Sequence, residues 1–443
     1  MKNNVGMMSI LILCECEYAW LVIAFMLRSP FYKIFDCRGE KKQDNFPKAS
    51  GTFIQPDMVT EWDDFQWQRE LSYLKEVKMK YIVMNTFVVQ NQNIRRVYGI
   101  STENGNRVEK VDIVDICLRN CEKLGFRVFL GIDYNVLWWK IGPRKPKWLY
   151  EQMKKGNMVV RELYEKYHDK YKNAFYGWYW TYEVDNLNFK NFRDFEILAN
   201  AVNINLKYMD KNNMRLPFMI SPFMNSEYST PMTYADNWEH FFKTAGLKRG
   251  DIFCPQDSVG GGGLDINQVK NWFQALGEAV KSKKKVLFWA NVETFDHNNW
   301  SSAFIKRFIR QMKLESPFVD DIITFSYSHY YSPSNINGGF HRAYKRYLYN
   351  HEISNRRPEP PKWVKIDRMD GKVLIRWEIS GNAAGYRLYC NGKEIYHPVV
   401  QRKYGGNKGQ VFGKFVYEDI SVKSKYQIET VDFWGNVSKK ITA

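Results

Sequence analysis

Cysteine is sparse and unordered in this chain of 443 residues. Its seven cysteines (Cys14, Cys16, Cys37, Cys117, Cys121, Cys254 and Cys390) are odd in number, and their spacing matches no zinc site and no disulfide framework. Cys117 and Cys121 stand four apart among aliphatic residues, which reads as two buried thiols on a helix. No Gly-rich dinucleotide fingerprint follows the first apolar run, which argues against a doubly wound nucleotide-binding sheet. No spacing of His, Asp and Glu forms a metal motif, and no cofactor is expected. A long unbroken apolar run is missing too. Met7 to Met26 is mostly apolar, but Glu15 and Glu17 interrupt it, and a charge at mid-bilayer costs about 2.5–3.5 kcal/mol. That segment reads either as a degenerate secretory signal or as an extended start of the reading frame, with a polar linker over 28–48. No stable membrane span is expected; the placement expected is periplasmic, secreted or at the cell surface. A basic block is also lacking. The net charge is +17, divided as +11 before residue 358 and +6 after it. Spread this evenly, it describes a Lys-rich solvated surface and not a nucleic-acid patch.

Aromatic residues are abundant, with 15 Trp, 28 Tyr and 29 Phe. Most must serve the core, but such rings also stack on the flat apolar faces of sugars. From Gly51 onward, short apolar runs alternate with amphipathic stretches. The runs are Gly51–Gln55, Tyr81–Val88, Arg127–Asn135, Phe175–Asp185, Leu216–Asn225, Asp251–Val259, Lys285–Phe295 and Ile322–Ser332. Between them lie helical patterns such as Phe65 to Val77, Val111 to Leu124, Phe192 to Tyr208, Ile266 to Val280 and Phe304 to Leu314. Eight strand–helix units within about 300 residues predict an α/β fold, a (β/α)8 barrel over 49–355. A Pro-rich joint, Arg356 to Pro361, closes it. Beyond lie alternating runs at Lys372–Glu378, Tyr386–Tyr396, Lys414–Asp419 and Lys425–Phe433, with Asn391–Gly392 as a hairpin signal. They predict a small β-sandwich over 358–443 that resembles a fibronectin type III or immunoglobulin-like module.

Barrel active sites gather at the C-terminal ends of the strands. Those ends are unusually polar here: Gln55, Asn85, Asp133 to Asn135, Glu183 to Asp185, Asn225, Gln256 to Ser258, Asn291 to Glu293, and Ser328 to Tyr330. Strand parity orders them. Gly177, Tyr179, Thr181 and Glu183 share one face of the fourth run. Leu287, Trp289, Asn291 and Glu293 share one face of the seventh, opposite the wholly apolar Val286, Phe288, Ala290 and Val292. Glu183 and Glu293 are therefore expected to meet across the barrel mouth, the arrangement that glycoside hydrolysis needs. Gln55, Asn85, Asp133, Asn135, Trp180, Asn225, Gln256, Asp257, Trp289, Asn291, His329 and Tyr330 are the candidate substrate contacts. Asp257 is a third candidate acid. The four glycines Gly260 to Gly263 read as a mobile rim loop.

Glutamates ending the fourth and seventh strands make the chain similar to the clan A glycoside hydrolases, which are retaining enzymes. That resemblance implies Glu183 as acid/base and Glu293 as nucleophile. Where the clan usually carries Asn before the acid/base, this chain carries Tyr182. A second resemblance spans nearly everything after residue 50. Gly51 to Gln55, Gly131 to Asn135, Gly177 to Tyr179 with Glu183, Pro255 to Ser258, and Trp289 to Phe295 resemble a bacterial barrel family designated domain of unknown function 4434. It implies a barrel with a carbohydrate-related role; the partner expected is an oligo- or polysaccharide, and the net charge of +17 admits an acidic one. Two alternatives stay open: a carbohydrate-binding barrel without catalysis, and a metal-assisted hydrolase using an ion at Asp133, Glu183 and Asp257.

Overall fold

A computed structural model describes residues 46–86, 88–91, 94–97, 112–298, 300–369, 371–396, 412–419 and 423–443. The apolar run Met7 to Met26, most of the linker, and Cys14, Cys16 and Cys37 lie outside these residues.

Eight parallel strands close into a barrel: β1 (Gly51–Ile54), β2 (Tyr81–Thr86), β3 (Arg127–Gly131), β4 (Phe175–Trp180), β5 (Phe218–Ile220), β6 (Ile252–Phe253), β7 (Leu287–Glu293) and β8 (Asp321–Phe325). Each pairs with its neighbours in chain order. The seam closes between β1 and β8, with Gly51 opposite Ile323. Helices α1 (Asp64–Glu76), α2 (Ile113–Leu124), α3 (Pro146–Leu163), α4 (Phe192–Lys211), α5 (Pro231–Thr244), α6 (Val269–Lys281), α7 (Ile305–Glu315) and α8 (Gly339–Asn350) follow the strands one by one.

Strand alternation divides the apolar side chains in two. Phe53, Tyr81, Val83, Phe129, Tyr179, Met219, Ile252, Trp289 and Ile323 fill the barrel interior. The opposite faces, including Trp178, Trp180, Phe288, Ala290 and Val292, pack under the helices. Cys117 and Cys121 lie buried in this outer layer as free thiols. Among the described residues, no helix is long and apolar enough to cross a membrane.

After the barrel, two antiparallel sheets face each other. One joins Val364–Met369, Lys372–Glu378 and Phe412–Glu418; the other joins Lys393–Tyr396, Gly385–Cys390, Tyr426–Val431 and Ile441–Thr442. Val373, Ile375 and Trp377 from the first meet Tyr386, Leu388, Tyr426 and Ile428 from the second in one apolar cluster. The run Tyr386–Tyr396 is a hairpin, turned at Asn391 and Gly392 with φ of 50° and 83°.

Candidate active site

Strand β7 ends on Glu293 and β4 ends three residues before Glu183. Both carboxyls open into one cavity of about 630 Å³ at the C-terminal mouth of the barrel. Gln55, Asn225, Gln256, His329 and Tyr330 line it as well. So do Phe223, Met224, Ser258, Gly261, Gly263, Phe295, Trp300 and Phe325, none of which sequence reasoning singled out as a contact. No Lys or Arg is among the lining residues.

Glu183 is partly exposed to the cavity. Gln256 Nε2 donates to its Oε1 at 3.1 Å, and Trp138 Nε1 fixes its backbone carbonyl at 2.6 Å. Burial raises its carboxyl above the ordinary range; the Gln256 bond works against this, and Asp185 adds to it. Glu293 is buried, and the N–H of Gly261 donates to its Oε2 at 2.6 Å. Burial and the nearby Asp257 push its carboxyl up to about 8, against the Gly261 bond and Arg307.

The four-glycine segment lies close against the cavity wall. A Cβ on Gly263 would sit 2.3 Å from the backbone oxygen of Met224. Gly263 N–H bonds the Ser258 carbonyl, and Ser226 N–H bonds the Gly263 carbonyl. This packing presents the Gly261 amide to Glu293.

Behind Glu293 lies a buried polar stripe on α7. Arg307 donates to the backbone carbonyls of Glu293, at 3.2 Å, and Phe295. Gln311 donates to Asp257 and to the Glu293 carbonyl. Glu315 is buried beside Asp257, and both effects hold its carboxyl well above the usual range. Asp257 therefore sits behind the cavity wall; its Oδ1 accepts from the Glu293 and Val259 amides at 3.3 and 3.2 Å.

The expectation that one pocket would also hold Asp133, Asn135, Asp257 and Asn291 is not met. Strand β3 stops at Gly131, and Tyr134–Asn135 pairs outside the barrel with Val88–Asn91. Asp133 is buried toward α3; it accepts from the Tyr182 hydroxyl at 3.2 Å, and its Oδ1 is 2.5 Å from where a Cβ on Gly156 would be. Asn135 is buried on Gln152, at 2.9 Å. Asn291 lies below Glu293, its amide donating to Ser221 Oγ at 3.2 Å. Asn85 accepts from the Thr86 amide and lies off the cavity lining. Trp180 packs outside the barrel against Trp138, and Trp289 fills the interior against Tyr81. Among the described residues, no group of three or more His, Cys, Asp or Glu could hold a metal ion.

Aromatic rings flank both acids. After β7 and β8, Trp300 stacks on Phe295 at 5.5 Å and Phe295 on Tyr330 at 5.6 Å; Trp300 is 61% exposed. After β3 and β5, the exposed Trp139 packs on Phe223 at 5.8 Å. Barrel order sets the first group beside Glu293 and the second beside Glu183.

No curated protein matches this sequence. Among solved structures, a provisionally assigned alpha-L-fucosidase from Bacteroides thetaiotaomicron is similar, with TM-score 0.56 and 19% identity, over 70% of this chain and 96% of that one. An endo-1,4-beta-mannanase from Rhizomucor miehei (TM-score 0.43, 11% identity) covers 63% of this chain and 86% of its own. A beta-glucosidase from Thermotoga maritima (TM-score 0.38, 11% identity) covers 65% and 90%. At these identities the first likeness speaks to the fold alone. Residues 49–337 match the family described as Domain of unknown function (DUF4434), and the chain belongs to that family.

Proposed function

We propose that this protein is a glycoside hydrolase that cleaves its substrate between Glu183 and Glu293. The observation that carries this reading is the pair of carboxyls, both raised by burial, that open into one cation-free, aromatic-flanked cavity. Burial raises both carboxyls, and Asp257 raises Glu293 further, so one of the pair keeps its proton at neutral pH. One carboxyl then protonates the glycosidic oxygen as its bond to the anomeric carbon breaks. The other, ionised, attacks that carbon and forms a glycosyl ester. Water, deprotonated by the first, displaces the ester and restores both groups. With no Lys or Arg in the lining, the cavity favours a neutral sugar at the cleavage point. Trp300, exposed at the end of the stack with Phe295 and Tyr330, offers an apolar face for a neighbouring pyranose ring.

The family resemblance gives Glu183 the acid role. The strong upward shift at Glu293 favours a second reading, with the proton on Glu293 and Glu183 as nucleophile. Glu183→Gln and Glu293→Gln are each expected to lower turnover of a neutral aryl glycoside by at least about 10²-fold while both fold. An activated phenol leaving group needs no acid, so it restores bond cleavage only in the variant that lost the acid. Full activity in either variant on an unactivated substrate refutes the pair. Tight saccharide binding with no cleavage by the unmodified protein would make the barrel a binding module.

A further inference from the structure

A second cavity, of about 350 Å³, lies where the barrel meets the C-terminal sheets. Its chemistry is the opposite of the first. Arg342 and Arg346 reach it from α8, and Arg356 and Arg357 from the connecting segment. Arg346 is neutralised by Glu352, with Nε to Oε2 at 2.7 Å. Arg342, Arg356 and Arg357 are exposed and form no ion pair among the described residues. Of the two carboxylates in the lining, Asp432 is occupied by the amides of Trp434 and Asn436, at 3.0 and 2.7 Å. Those amides are neutral, so Asp432 and Glu359 together offset two of the three arginines and one positive charge is left in excess. Lys306 adds another charge at the same junction; it bonds Asn355 at 2.7 Å and also Asn436, both neutral.

Arginine forks match oxyanions through paired N–H donors. The remaining lining is Ser354, Ser380 and Asn382, with Gly339, Ala343, Pro358 and the edges of the buried Phe433 and Trp434 as apolar surface. Hydroxyl and amide groups beside apolar faces suit a sugar ring, and the volume exceeds what a bare ion fills. We infer that this junction binds an oxyanion-bearing saccharide unit, a sulfate ester or a uronate, through Arg342, Arg356 and Arg357. The site is distinct from the Glu183–Glu293 cavity and stands whether or not that cavity cleaves a glycosidic bond.

Titration calorimetry on the full chain tests this with four probes: a sulfated disaccharide, a uronate-containing disaccharide, a neutral disaccharide and sodium sulfate. At least one anionic disaccharide should bind at least tenfold more tightly than both the neutral one and sodium sulfate. Which one binds separates the two sources of the oxyanion. Its affinity should fall at least tenfold in Arg342→Gln/Arg356→Gln, and likewise in Arg357→Gln, whose site lies on the connecting segment and does not bear on helix α8. Glu293→Gln should leave it unchanged. The inference is overturned if the neutral disaccharide binds as well, if sodium sulfate alone binds as well, or if affinity survives the arginine substitutions in variants that melt like the unmodified chain.

Discussion

A carboxyl with its proton held by burial makes a pH-dependent contribution to folding, and Glu293 gives that contribution a definite sign. Its folded value is raised from the ordinary 4.5 to about 8. Between those values the folded chain binds a proton that the unfolded chain has released. Stability therefore falls as pH rises through this window, and below it Glu293 has no such effect. A tenfold difference in proton affinity between the folded and unfolded chains corresponds to roughly 1.4 kcal/mol, and the nearby Asp257 shares the effect. Glu293→Gln removes the ionisation, and its amide oxygen can still accept from Gly261 N–H. In urea melts the variant should match the unmodified protein near pH 5 and exceed it by about 1–3 kcal/mol near pH 8. A variant that is less stable at pH 8 would show that Glu293 is ionised in the folded state. Glu293 itself was legible in the sequence, because the alternation from Leu287 to Glu293 leaves only one face on which Trp289, Asn291 and Glu293 can point inward. Asp133 and Asn135 were misplaced by the same rule, because it was carried past Gly131, where β3 ends and the chain leaves the barrel.

At the scale of elements, the support for Glu293 comes from helix α7, where sequence reasoning did not look. Arg307, Gln311 and Glu315 recur every four residues on one side of the helix. Polar residues at helical spacing read as a solvated face, yet Gln311 and Glu315 are fully buried. The apolar residues Ile305, Phe308, Ile309 and Met312 beside them carried the helix assignment and left no signal that the polar stripe also faced the barrel. Gln311 is the central member, since its amide serves both the Asp257 carboxylate and the Glu293 carbonyl. Gln311→Leu keeps much of the volume and removes that donor. The expected cost is about 1–3 kcal/mol in denaturant melts, the penalty for leaving a buried acceptor unpaired. Turnover should fall as well, because the end of β7 loses one of its two α7 anchors. If stability is unchanged, Asp257 draws its compensation from elsewhere and the stripe is not a support.

In the molecule as a whole, the barrel was readable because eight repeats of one pattern leave few other folds, and the Pro-rich joint marked where that pattern stops. How the C-terminal sheets attach could not be read, because it depends on single close contacts with no periodicity. Phe433, in the segment after Tyr426–Val431, lies over Gly339 at the start of α8 and packs edge-on against Phe340 at 5.0 Å. Its carbonyl accepts from Ile305 N–H at the start of α7, at 3.1 Å. Asn436 reaches the Ser354 carbonyl at 3.0 Å. Gly339 is the tightest of these contacts: a Cβ there would come within 2.1 Å of the Phe433 ring, whose position is fixed by its own backbone bond. Gly339→Ala should therefore push the sheets off the barrel and cost about 1–3 kcal/mol, the usual scale of overpacking. Gly381→Ala is the matched control, since a Cβ there meets nothing within 4 Å. If the junction is as rigid as these contacts imply, Gly339→Ala should also speed proteolysis in the segment 354–361 and weaken binding at the arginine cavity, whose lining Gly339 and Phe433 share. Urea melts that leave Gly339→Ala level with Gly381→Ala would mean that the sheets ride loosely on the barrel.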